Sequence, residues 1–309
     1  MSSDLSMQTP LGGQPLPFTP TTEARPMYWS LRRELWENRS LYLAPVIVAA
    51  VVLFATAIST IGLPSRMRAM ARKPPAQRTS IVKAYDIAPA PIMLTTFIVA
   101  IFYCIDALNG ERRDRSILFW KSMPVSDRTT VLAKVLIPLV VLPLIAFVLS
   151  LITQVALLLL STAILLANGM SPVPLWTQMQ FFQGVIVMVY GLTVHALWFA
   201  PIYGWLLLVS AWARRAPILW ALLPLLAISA VERITFNTWL FMNMLQYRVT
   251  GAMFEAFAFT PKGSSGDVTR LSQLTPVRFL SASGLWAGLL LTVLFLIAAV
   301  RLRHKREPI

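Results

Sequence analysis

The chain has 309 residues, 57% of them hydrophobic and only 13% charged, with mean hydropathy +0.67; a soluble domain carries about twice that charged share, so a single soluble globule is excluded. Net charge is +14, yet the basic residues flank apolar runs and form no continuous face, which argues against nucleic acid as a partner. A single cysteine, Cys104, excludes an internal disulfide, and two histidines, His195 and His304, are too few for a His-rich metal site.

Residues 1–27 are polar and hold five prolines: Pro10, Pro15, Pro17, Pro20 and Pro26. They lack the basic start and short apolar centre of a cleavable signal, and their composition predicts a disordered tail. The first span is then expected to serve as its own uncleaved insertion signal. Tyr28–Arg39, YWSLRRELWENR, places Tyr28, Trp29, Leu31, Leu35 and Trp36 in one broad arc of a helix. Arg32 and Arg39 fall inside that arc and must snorkel. The tryptophans and the tyrosine suit the headgroup zone. An interfacial helix on the cytoplasmic leaflet is expected, with a plain extension of the first span as the alternative.

Residues 28–309 read as one unit, an all-α polytopic membrane protein with six transmembrane helices. The spans are expected at about 41–63, 87–108, 135–167, 181–213, 216–235 and 279–300. No Asp, Glu, Lys or Arg occurs from Val135 to Ala213, which gives room for two spans of about 20 residues. The third and fourth segments are longer than a bilayer requires: about 33 residues at about 1.5 Å each give roughly 50 Å, against about 30 Å of hydrocarbon. They are expected to tilt, to kink at Pro138, Pro143 or Pro201, or to project beyond the lipid. Asn168–Gln180 reads as the turn between them. The fifth segment is short, with 16 uncharged residues between Arg215 and Glu232. It fits a tilted or Pro224-kinked span, or a re-entrant segment. Glu232–Ala282 then forms a long outer loop. Its apolar part, FNTWLFMNMLQY, is expected along the membrane surface, and PKGSSGD reads as a turn.

With the N-terminus inside, sixteen Lys and Arg fall on the cytoplasmic side and eleven outside, which favours both termini in the cytoplasm. Arg66, Arg68, Arg72, Lys73, Arg78 and Lys83 run against this rule and read as contacts to anionic lipid heads.

Between the second and third spans lies GERRDRSILFWKSMP, residues 110–124. A helix over Glu111–Ser122 would carry Glu111 at its positive end and Lys121 at its negative end. Ile117, Leu118, Phe119 and Trp120 would cover every side, so the helix is polarised along its length and suited to end-on insertion into a partner's groove. A solvated basic loop that only fixes topology is the alternative. Pro124 breaks the chain, and Ser126 is expected to cap the third span.

Glu111–Asp127, ERRDRSILFWKSMPVSD, resembles the cytoplasmic coupling segment of ABC-2-type ABC transporter permeases. Leu31–Pro45, LRRELWENRSLYLAP, and His195–Pro224, HALWFAPIYGWLLLVSAWARRAPILWALLP, look like the same family. The resemblance covers most of the chain from about residue 28; the Pro-rich tail has no counterpart. It implies the permease subunit of an ATP-driven exporter in a bacterial inner membrane. Such permeases pair as a homodimer or heterodimer, and each docks a separate ABC ATP-binding subunit. Carried over here, Glu111, Arg112, Arg113, Asp114, Arg115, Ile117, Leu118, Phe119, Trp120 and Lys121 form the docking helix, with Arg214 and Arg215 as a secondary cytoplasmic contact. The chain lacks G-x-x-x-x-G-K-[ST], so no cofactor is expected on it and ATP is used by the partner.

Within the spans, Thr153, Gln154 and His195 are candidate pathway residues. Thr153 and Gln154 equally fit bonding to their own helix, and His195 a hydrogen bond to a neighbouring one. Gly284 and Gly288 form a G-x-x-x-G that permits close helix contact. No H-E-x-x-H and no paired carboxylates signal an enzyme, so no catalytic or metal residue is assigned. A secondary carrier or channel independent of ATP is the alternative function; it would call for interrupted helices in related halves, and no internal repeat is visible.

Overall fold

A computed structural model of the chain describes residues 26–72, 87–114, 126–178, 181–258 and 271–305. The described residues form an all-α fold without strands; an isolated bridge joins Phe257 and Leu274. Six helices among them are long and apolar enough to cross a membrane, which makes this a multi-pass membrane protein.

The described chain starts with α1 (Pro26–Glu37) and turns at Asn38 and Arg39 into the first span, α2 (Ser40–Ile61). Only Leu41, Pro45, Ala49 and Thr60 of α2 are buried, as suits a helix whose apolar circumference meets lipid more than protein. Past Gly62 lies α3 (Leu63–Ala71), which carries Arg66 and Arg68. The second span is α4 (Pro89–Asp106), followed after two turn residues by the short α5 (Asn109–Arg113). Ser126 caps α6 (Asp127–Leu136): its Oγ accepts from the Thr129 N–H at 3.1 Å, as the sequence predicts. Ile137–Val141 then form a π turn, and α7 (Leu142–Ala167) completes the third span. Pro138 sits in that turn; it has no N–H for an α ladder, and the wider turn absorbs the gap. Pro143 falls in the first turn of α7, where a missing N–H costs little.

Gly169, with φ 66°, closes α7, and Met170 N–H bonds back to Leu165 O. After α8 (Val173–Gln178) the fourth span is α9 (Phe181–Trp212), which continues through Pro201. The fifth segment, α10 (Pro217–Phe236), is one unbroken helix of 20 residues through Pro224. It is bounded by left-handed residues, Ala216 at φ 47° and Asn237 at φ 54°. Glu232 then caps the next helix, α11 (Leu240–Ala256): its carboxylate accepts from the Leu240 N–H at 2.6 Å and the Phe241 N–H at 2.8 Å. A short α12 (Pro276–Ser281) precedes the sixth span, α13 (Ser283–Lys305).

α9 is the hub, packed on α13, α4 and α7. α9 and α13 run parallel, as Trp198 lies beside Gly284, Gly204 beside Thr292 and Ala211 beside Ala299. Gly204 lies at this contact, where an added Cβ would make ordinary van der Waals contact with Thr292 Cα at 3.5 Å. A core of Leu41, Ala100, Cys104, Ile137, Leu142, Tyr203 and Leu207 joins α2, α4, the π turn and α7 to this hub. α11 seats Gly251, Ala252 and Ala256 against it. Arg248 of α11 covers the Trp198 ring at 4.8 Å and donates to Gly284 O at 2.6 Å. Gly288 therefore makes room for an arginine of the same chain, because a Cβ there would collide with the Arg248 guanidinium, while Gly284 faces the Tyr247 ring. PKGSSGD lies outside the described residues.

Candidate functional site

One end of the bundle gathers α1, α5, α6 and the last turn of α13, and their charged side chains meet inside it. Lys134 Nζ lies 2.8 Å from Glu34 Oε1 and 3.1 Å from Glu111 Oε1. Arg303 Nη1 reaches Glu111 Oε2 at 2.6 Å, and its Nε reaches Asp127 Oδ1 at 3.0 Å. Arg33 Nη2 donates to both Glu34 Oε1 at 2.8 Å and Glu111 Oε1 at 2.9 Å. Tyr103 of α4 donates its hydroxyl to Glu34 Oε2 at 2.8 Å. Glu34, Glu111, Lys134 and Arg303 are all buried.

Three buried or half-buried carboxylates (Glu34, Glu111, Asp127) thus face three cations (Arg33, Lys134, Arg303), and exposed Glu37 adds a fourth carboxylate 3.5 Å from Arg33 Nε. Close pairing of opposite charges and multiple hydrogen bonds are what allow charges to stay at such depth. Burial alone would lower the Arg33 guanidinium, but Glu34, Glu111 and Glu37 outweigh it and hold it above its ordinary value. Burial pushes the Glu37 carboxyl up, with Arg33 pulling it back.

A second set of bonds fixes α5 to the end of α9. The Leu108 and Asn109 N–H groups donate to Ser210 Oγ at 3.0 and 2.9 Å. Asn109 Nδ2 reaches Ala213 O at 2.6 Å, and Arg112 Nη1 reaches Ala211 O at 3.0 Å. The last carbonyls of a helix lack intrahelical partners, and a cation at that negative end is favourable. Arg112 supplies both.

The sequence-derived docking residues therefore divide. Glu111 and Arg112 are buried and bound within the chain. Arg113 and Asp114 are exposed and pair with each other at 3.3 Å, while Arg113 also lies 3.6 Å from Asp106. Arg115, Ile117, Leu118, Phe119, Trp120 and Lys121 lie outside the described residues. Arg214 and Arg215 are exposed in the turn after α9. Thr153 is buried in α7 and Gln154 half-buried beside it. His195 Nε2 lies 3.0 Å from Tyr203 Oη, with its ring against Phe199 and Phe97. No hydrogen bond among the described residues joins Thr153 or Gln154 to His195. Glu34, Lys134, Asp127 and Arg303 were not singled out by the sequence; the available signal is Glu34, an acid set between Leu31 and Leu35 on a helix otherwise fit for an interface.

With every charge paired, the cluster offers no free base or nucleophile. It is a junction that ties α1, α4, α5, α6 and α13 together. Among the described residues no group of three His, Cys, Asp or Glu side chains could hold a metal ion. Compared with family models, curated proteins and solved structures, the chain has no match.

Proposed function

We propose that the chain is the permease subunit of an ATP-driven ABC exporter of the ABC-2 type, set in a bacterial inner membrane with both termini in the cytoplasm. It works as one half of a homodimer or heterodimer. A separate ABC ATP-binding subunit docks on the 110–124 segment. The observation that carries this reading is how that segment is rooted: Glu111 is held by Lys134 near the start of the third span and by Arg303 at the end of the sixth. A force on the segment reaches two spans and α1 through buried ion pairs, where an unanchored loop would dissipate it. Arg112 passes the same force to the end of the fourth span.

ATP closes a pair of ATPase subunits, each displaces its docked segment, and the spans follow as a two-state switch biased by contacts that differ between the states. The motor is another polypeptide, since the chain has no phosphate-cradling loop of its own. Exposed Arg113, Asp114, Arg214 and Arg215 form the accessible rim of the docking surface.

The test is co-isolation. Tagged chain extracted in mild detergent from its own host is expected to bring an ATPase with it. The variant Arg113→Ala, Arg214→Ala, Arg215→Ala alters only exposed side chains, so it should insert normally and lose most of the bound ATPase activity. A chain that isolates alone and conducts ions after reconstitution would establish the carrier or channel reading instead.

A further inference from the structure

We infer that the elbow between α1 and α2 is a binding site for an anionic phospholipid. A cleft of about 690 Å³ opens there, lined by Trp29, Arg32, Arg33, Trp36, Glu37, Arg39 and Tyr42. The Arg32 guanidinium lies over the Trp36 ring at 4.6 Å and the Trp29 ring at 5.4 Å. Arg39 is exposed at the turn. Neither Arg32 nor Arg39 pairs with a carboxylate among the described residues. The third arginine, Arg33, is already committed to Glu34, Glu37 and Glu111. The lining carries one carboxylate, Glu37, which Arg33 holds at 3.5 Å, so the cleft faces its occupant with the two remaining guanidinium groups, Arg32 and Arg39, beside aromatic rings that carry apolar surface.

The surface above the cleft says which kind of anion fits. Leu43, Ile47, Val51, Phe54 and Ile58 recur at helical spacing on α2 and are each at least half exposed. Arg39 lies one turn before Leu43, so this apolar stripe continues upward from the charged elbow. A free phosphate has no use for such a stripe; an acyl chain does. A quaternary ammonium head is disfavoured, because Arg32 already lies over Trp29 and Trp36 and repels a second cation there. A phosphate-bearing head of net negative charge, with its chains along α2, suits Arg32, Arg39 and the apolar stripe, while Arg33 offsets the Glu37 carboxylate. Arg33 lines this cleft and also bonds Glu111, so the occupant touches the wall of the ion cluster. The inference needs only the membrane fold and stands apart from the transport reading.

The experiment uses the full chain reconstituted in nanodiscs of equimolar phosphatidylglycerol and phosphatidylcholine. The protein is then re-extracted in mild non-ionic detergent, and retained lipid is counted by mass spectrometry. Wild type is expected to retain phosphatidylglycerol over phosphatidylcholine by about tenfold, the scale of one charge-assisted contact. Arg32→Gln with Arg39→Gln should abolish the preference and leave the melting temperature of the detergent-solubilised protein within a few degrees. Arg66→Gln with Arg68→Gln, on α3 at the far end of the first span, should keep it. Equal retention of both lipids by wild type would overturn the proposal. So would a preference that survives the elbow variant, or one lost equally in the α3 variant, which would mean a diffuse pull from a basic chain. Displacement of phosphatidylglycerol by millimolar inorganic phosphate would show a headgroup-only anion site and would also refute the lipid assignment.

Discussion

Glu34 and Lys134 meet at 2.8 Å with both side chains only 2% exposed, and at that depth the effect of a mutation depends on what it leaves behind. Glu111→Ala strips Lys134 and Arg303 of a shared carboxylate and is expected to cost about 3–5 kcal/mol. Thermal unfolding in detergent would register this as a large drop in melting temperature. Glu34→Leu and Lys134→Met should each be strongly destabilising alone. Combined, they remove both charges and replace them with apolar groups, so the double variant should lose clearly less than the sum of the singles. An additive result would mean that the pair is not coupled. These outcomes also bear on docking: a defect in ATPase retention from Glu111→Ala would confuse a lost contact with a loosened fold, whereas Arg113 carries no such burden because it is exposed.

Among the elements, the spans were legible because lipid imposes one rule on length and polarity, and apolar runs obey it locally. The Ser126 cap was legible for the same reason, since its partner is three residues away. The ion cluster was not, because Glu34 finds Lys134 across 100 positions and Glu111 finds Arg303 across 192. Nothing in the spacing of one charge reports another so distant, and the run of charges after Gly110 reads naturally as one exposed patch. The structure turns Glu111 and Arg112 inward and leaves Arg113 and Asp114 outside. The fifth segment was obscured by Glu232, whose charge ends the uncharged run after 16 residues; that carboxylate is the cap of α11. The glycine pair of α13 was visible, but its occupant was not. Gly288→Ala forces the Arg248 guanidinium out of its seat and loses the bond to Gly284 O. A cost of about 1–3 kcal/mol is expected, read as a lower melting temperature, and Arg248→Met should remove most of the added penalty.

At the scale of the molecule, the six spans among the described residues return the chain to the side on which they began, and α1 and the end of α13 share one ion cluster. Cys104 is fully buried, so single cysteines placed elsewhere can be labelled against a low background. An impermeant maleimide is expected to reach Arg68→Cys from one face of the membrane, and Arg215→Cys and Lys305→Cys only from the other. Labelling of Arg215→Cys and Arg68→Cys from the same face would break the six-pass arrangement. The proposed orientation further assigns Arg215 and Lys305 to the cytoplasm. Within this frame, the five-residue π turn at Ile137–Val141 has a geometric consequence for the third span. It stores one surplus residue only three positions beyond Lys134. Should that turn tighten to an ordinary α repeat, everything past Val141 would swivel by about 100°. Ser150 and Thr153, now turned inward, would point elsewhere, so a small rearrangement beside the junction could change what the middle of the membrane presents.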